Sequence, residues 1–194
     1  MIRMICQNMK QGQYQGEAWI YGHDEVISLL KDMAEKLYPA KQTQFIGDRL
    51  HLVVVNDGEE RTLMGHKVTF FDIQSTKAKQ YGFCMDLGNG EKLTCCGDEP
   101  YNECEKKYAE NSKWLLHEAF CLFDQADQFH PYEKHHSTAK DASELAAQLN
   151  VKNLILYHTE DKNILRRKEL YTEEGKKYFQ GNLFVPEDLE TIEL

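Results

Sequence analysis

The spacing of apolar positions divides the chain into a small number of strong elements. Met1–Met9 alternates apolar and polar residues at helical spacing and is closed by Lys10-Gln11-Gly12, which predicts a short amphipathic helix. Glu17–Tyr21 reads as a strand. Val26, Leu29, Leu30, Met33 and Leu37 form one stripe of a helix that Asp24 can cap and that runs through Tyr38, with Pro39 beyond its end. Arg49–Val55 and Lys67–Ile73 are predicted strands joined by the polar turn Asn56–Glu60. Tyr81–Leu87 is a further strand, and the Gly88-Asn89-Gly90 turn leads from it to another at Lys92–Cys96.

Three apolar runs then share one grammar. Lys92–Cys96 delivers Gly97-Asp98, Trp114–Leu116 delivers His117-Glu118, and Asn153–Tyr157 delivers His158. Between the last two, Ala139, Ala142, Leu145, Ala146 and Leu149 mark a crossover helix over Ser137–Asn150, capped by Ser137 or Thr138. Strand, strand, helix, strand is an α/β rhythm, antiparallel in the middle of the chain and mixed later. Open α/β sheets place ligands at the C-terminal ends of strands, so polar residues there are the candidates for chemistry. Helix Glu173–Phe179 and terminal strand or edge segments at Leu183–Val185 and Leu189–Leu194 complete the prediction.

Composition narrows the function classes. At 194 residues, with 41% hydrophobic and 11% aromatic content, the chain suits one globular domain over residues 1–194. A net charge of −9 disfavours broad binding to a phosphate backbone. No apolar stretch approaches the ~20 residues that span a bilayer, and the start lacks a secretory leader. The six cysteines lack C-x-x-C spacing, which fits reduced cytoplasmic thiols. His23, His51, His66, His117, His130 and His135 read as loop, strand-end or supporting residues, and Arg166-Arg167-Lys168 as a surface patch or a phosphate contact.

The Gly97-Asp98 pair, the segment His117-Glu118-Ala119-Phe120, the loop His136-Ser137-Thr138-Ala139 and the strand-end His158 stand in an order that resembles the metallo-β-lactamase fold superfamily, in its ribonuclease Z-like branch. The resemblance implies an αββα sandwich and a metal-dependent hydrolase that uses activated water on a phosphodiester or small ester. It implies that Asp98 and His158 are metal ligands. It implies also that His136, oriented by Glu118, handles a proton or developing charge; an ordinary buried contact between Glu118 and His136 is the other reading. Zinc in a two-metal site is implied, with manganese or iron as alternatives.

Two departures alter what the resemblance implies. The family's H-x-H-x-D-H motif is absent from the sequence, so the expectation is a chain lacking the N-terminal strands and that motif. Gln74 stands where the family has a histidine ligand, and a neutral amide is a poor partner for zinc. Only Asp98 and His158 then remain of the usual set, which implies an impaired site or one that holds no metal. The long arm that grips transfer RNA is also missing between Gly82 and Asp98, so a small-molecule substrate is expected rather than transfer RNA. The alternative function is a non-catalytic binding or dimerisation module. Missing strands would expose sheet edges and apolar faces, so a homo-oligomer is expected.

Overall fold

The computed structural model describes residues 1–194. The chain divides into two compact units, Met1–Asp57 and Gly58–Leu194.

The first unit begins with α1 (Ile2–Lys10), which buries Ile2, Cys6 and Met9. Strand β1 (Ala18–Gly22) follows, then α2 (Asp24–Leu37), the short α3 (Ala40–Thr43) and β2 (Leu50–Val54). β1 and β2 form a two-stranded parallel sheet. The α2 cap differs from expectation. His23, not Asp24, is the N-cap, and its Nδ1 accepts from the Val26 N–H at 3.3 Å. Imidazole can do this because a neutral ring carries one acceptor nitrogen, a role usually taken by Ser, Thr, Asp or Asn.

The second unit is built on a seven-stranded sheet whose spatial order follows chain order: β3 (Glu60–Leu63), β4 (His66–Asp72), β5 (Tyr81–Gly88), β6 (Glu91–Cys95), β7 (Trp114–Glu118), β8 (Asn153–Tyr157) and β9 (Asn182–Phe184). Pairing is antiparallel from β3 to β6 and parallel from β6 to β9. The mixed α/β class is the one expected. One predicted connection is wrong: β2 is no hairpin partner of β4. It pairs with β1, and β4 pairs instead with β3, which starts at the last residue of the predicted Asn56–Glu60 turn and continues through Arg61, Thr62 and Leu63, where no strand is predicted. Its residues are mostly exposed, so burial leaves no apolar alternation to detect.

Helices α4 (Lys106–Ala109), α5 (Ala126–Phe129), α6 (Ala139–Gln148) and α7 (Arg167–Gly175) complete this unit. α6 is the predicted crossover between β7 and β8. Thr138 caps it through a capping box with Asp141, and Ala139, Ala142 and Ala146 are fully buried. α7 starts six residues before the predicted helix, because its first turn is charged and gives no apolar signal. Leu189–Leu194 forms no strand. The main core gathers Leu115, Leu154, Leu156, Tyr171 and Phe179 with the α6 alanines. Near 25 cal/mol per Å² of apolar surface, such side chains contribute roughly 1.5–3 kcal/mol each when fully buried.

Candidate functional site

Parallel pairing of β6, β7 and β8 brings their C-terminal ends to one edge of the sheet. The loops that leave that edge carry Asp98, His136 and His158, and Glu118 closes β7 there. Gly97 makes the first turn possible. Its φ of +82° is open to glycine at little cost, and a Cβ at this position would stand 2.9 Å from Ile73. Tyr157 ties the end of β8 to that of β6 by donating its hydroxyl to the Gly97 carbonyl.

One oxygen of Asp98 and one ring nitrogen each of His136 and His158 lie within 4.8 Å of one another. His158 Nε2 is 3.1 Å from Asp98 Oδ1, and His136 Nδ1 is 3.8 Å from it. Asp98 Oδ1 and His136 Nδ1 are both buried without a hydrogen-bond partner. Two orphaned polar atoms side by side are costly unless something else satisfies them. Donors about 2 Å from a zinc ion in a tetrahedron stand roughly 3.3 Å apart, so these residues fit a divalent metal. Burial, helped by the Lys77 ammonium, holds the His136 ring below the ordinary imidazole value, which favours the neutral form a metal needs. Backbone strain accompanies the arrangement: His158, His135 and Gln74 all have positive φ.

Glu118 is fully buried at the floor of the site. Its Oε1 accepts from the Ser137 N–H, its Oε2 accepts from Phe120 N–H at 3.2 Å, and Oε2 lies 3.6 Å from His136 Nδ1. Burial pushes this carboxyl up to about 7, against the lowering effect of its backbone donors. Its visible work is to pin the loop that delivers His136. The expected meeting of Glu118 and His136 therefore occurs, without hydrogen-bond geometry on His136 Nδ1.

Lys77 has no place in the sequence reading of the site, and Phe120 enters it only as the last residue of the His117–Phe120 segment, with no role of its own. The Phe120 ring stacks on His136 at 5.0 Å and lies 6.4 Å from His158. Its backbone N–H donates to Ser137 O at 2.9 Å, and its carbonyl accepts from Glu160 N–H at 2.7 Å and from the Tyr171 hydroxyl at 3.1 Å. One residue thus joins the loops after β7 and β8 to the loop before α6. The signal available in sequence was a bulky aromatic at the fourth position of the His117–Phe120 segment. Lys77, in the β4–β5 loop, places Nζ 3.4 Å from His136 Nε2. That loop is held by Glu99, which accepts from the Ser75 hydroxyl at 2.6 Å and the Thr76 N–H at 3.3 Å. Gln74 is exposed, and its backbone N–H donates to Asp72 Oδ1 at 2.7 Å.

His117 Nδ1 lies 2.7 Å from the Glu118 carbonyl, and burial lowers its pKa, so it is a neutral strand residue. His130 and His135 are exposed C-caps of short helical turns. All six cysteines are free thiols. No helix is long and apolar enough to cross a membrane.

This sheet, with its metal-fitting edge, is the metallo-β-lactamase fold. Among solved structures, the metallo-β-lactamase fold protein YhfI from Bacillus subtilis aligns with a TM-score of 0.68 at 19% identity, covering 93% of this chain and 67% of that one. Zn(2+)-bound PqqB from Methylobacterium extorquens gives 0.68 at 13% identity over 91% of this chain and 64% of its own. Human short-form tRNase Z gives 0.57 at 19% identity over 90% and 66%. In sequence, the chain is similar to ribonuclease Z of Bacillus thuringiensis (strain Al Hakam), 39% identical over 69 residues, or 36% of this chain. That match spans only 22% of the length of the ribonuclease Z. No family model matches the chain.

Proposed function

We propose that the protein is a metal-dependent hydrolase of small phosphodiesters. The observation that carries this reading is the pair of buried, unpartnered donors, Asp98 Oδ1 and His136 Nδ1, converging with His158. In this reading Asp98, His136 and His158 hold one divalent ion, which when bound supplies Lewis acidity for a phosphoryl oxygen. Three protein donors with an open position resemble a catalytic rather than a structural zinc site. His136 is then a donor in addition to the residue expected to handle developing charge. Glu118 pins the loop that carries it, Phe120 stacks on its ring, and the Phe120 face keeps water from one side of the imidazole. Lys77 supplies a cation within reach of a substrate phosphate.

The β5–β6 segment between Gly82 and Asp98 is a plain hairpin, which favours a small substrate over transfer RNA. The test is metal content by plasma mass spectrometry alongside hydrolysis of bis(p-nitrophenyl) phosphate. Wild type should retain about one equivalent of divalent metal and turn over slowly, and Asp98→Ala should lose both, with metal affinity down at least ~100-fold. Metal-free wild type, or hydrolysis unchanged in Asp98→Ala, would sink the reading.

A further inference from the structure

The β4–β5 loop reaches the candidate site from the side, and its shape is set by a residue to which the proposed chemistry gives no part. Glu99 follows Asp98 directly and is only 6% exposed. Both of its oxygens serve that loop: Oε1 accepts from the Ser75 hydroxyl at 2.6 Å, and Oε2 accepts from the Thr76 N–H at 3.3 Å. A carboxylate is costly to bury unless its oxygens are paired, and these are paired with one short segment alone.

The Ser75 oxygen carries the constraint further. While its proton goes to Glu99, it accepts from the Lys77 N–H at 3.2 Å and from the Ala78 N–H at 3.3 Å. A hydroxyl has one donor and two acceptor sites, so Ser75 is fully used. Thr76 Oγ1 lies 3.3 Å from His135 Nδ1, which ties the same turn to the loop before α6. The backbone at Lys77 is thus fixed while its side chain is exposed, and Nζ comes to 3.4 Å from His136 Nε2.

This ammonium is free to meet a ligand. Lys67, Lys106, Lys113 and Lys168 are paired with carboxylates, whereas Lys77 has His136 beside it and no carboxylate. His136 in turn stands 3.8 Å from Asp98 and 3.6 Å from Glu118, so an anion that approaches needs a cation to offset these charges. A lysine on its flexible four-carbon stem does this selectively only when its root is held.

We propose that Glu99, acting through Ser75, is a positioning residue for Lys77, and that the loop so held makes the site select an anionic phosphodiester over a neutral ester. The proposal rests on the hydrolase reading for the reaction, and on the chain from Glu99 through Ser75 to Lys77 alone for the selection.

Two unreactive probes separate binding from turnover: dimethyl phosphate, an anion, and trimethyl phosphate, its neutral counterpart. The whole chain is titrated with each by NMR, and saturable binding of dimethyl phosphate alone is expected. With bis(p-nitrophenyl) phosphate as substrate, Lys77→Met should raise KM about tenfold, and Glu99→Ala and Ser75→Ala about fivefold, with smaller changes in kcat. Ser75→Thr keeps the hydroxyl and should hold KM within about twofold of wild type. A merely structural Glu99 would act without regard to Lys77. In the Lys77→Met background, Glu99→Ala should therefore add less than about twofold to KM, because the group it positions is gone. The same cycle is read in the dissociation constant of dimethyl phosphate, so a chain without turnover is tested equally. The proposal is overturned by absent dimethyl phosphate binding, by equal binding of trimethyl phosphate, or by independent effects of Glu99→Ala and Lys77→Met. Any of these in a chain that hydrolyses the diester leaves the hydrolase reading intact. Dimethyl phosphate binding that depends on Lys77 and Glu99, in a chain that neither retains metal nor hydrolyses the diester, retires that reading and leaves the selection standing.

Discussion

In Met1–Asp57 the buried residues are apolar: Ile2, Cys6, Met9, Ile27, Ala34, Leu50 and Val55. In Gly58–Leu194 the interior also takes in polar and charged groups, from Thr94 to Glu174, among them five carboxyls, Glu99, Glu105, Glu118, Glu160 and Glu174. Four of these glutamates accept from backbone N–H groups of loops near the sheet edge: Glu118 from Ser137 and Phe120, Glu99 from Thr76, Glu160 from Lys162, and Glu174 from Phe123 and Lys140. Apolar burial is non-directional and sets which faces turn inward. Buried carboxylates are directional and fix where a loop stops. The second unit uses both, and the loops so fixed carry the candidate chemistry.

Removing one of these carboxyls breaks that comparison most sharply. Glu118→Ala leaves the Ser137 N–H without its acceptor inside the protein and the Phe120 N–H with the Ser137 carbonyl alone, so a loss of about 3 kcal/mol in urea unfolding is expected. A loss below ~1 kcal/mol would mean that the loop is set by packing alone.

Glu105 sharpens the comparison through pH. It is fully buried, accepts from the Asn102 N–H at 2.8 Å, leaves Oε2 unpartnered, and burial pushes its carboxyl up to about 7. A folded-state value above the unfolded one means that the folded chain binds the extra proton between about pH 4.5 and 7. Stability should therefore fall as pH rises through that window and level off above it. Glu105→Gln removes the ionisation and should stabilise the protein by about 2–3 kcal/mol at pH 8, with a small effect at pH 5. Equal effects at both pH values would show that Glu105 is ionised throughout.

The first unit should respond least. Leu29, Met33 and Leu37 form an exposed apolar stripe on α2. Met33→Glu should change unfolding free energy by no more than ~0.5 kcal/mol. If the expected homo-oligomer forms through this stripe, the same variant should shift the mass measured by light scattering towards the monomer. An unchanged mass would remove the stripe from the interface.

The sequence made the sheet edge legible and left its surroundings obscure. Asp98, Glu118, His136 and His158 follow apolar runs that end in polar residues, a pattern that survives without any contact information. The Thr138 cap and the alanine face of α6 were legible for the same reason, because the helical period is local. Phe120 and Lys77 were not. An aromatic ring that stacks on imidazoles looks like any core aromatic, and a lysine in a polar loop looks solvated until the fold brings 77 beside 136. The cluster also looked smaller in sequence than the three side chains that converge in the fold. His136 joins Asp98 and His158 only through the placement of its loop, which is fixed by groups 17 to 19 residues away along the chain. Strand β3 and the start of α7 were lost because charged residues carry no hydrophobic period.

The order of the large sheet bears on how the protein is made. From β3 to β9 every strand pairs with its neighbour in the chain, so no pairing waits for a strand much later in synthesis. Low sequence separation shortens the loops that must close before contacts form, which favours rapid folding and stepwise growth during translation. The antiparallel β3–β6 meander can assemble first, as hairpins form in microseconds. Asp98 then emerges on an incomplete edge, and His136 and His158 reach it only after β7 and β8 have docked in turn. On a nascent chain, convergence of the three side chains is thus a late event, gated by the arrival of β7 and β8.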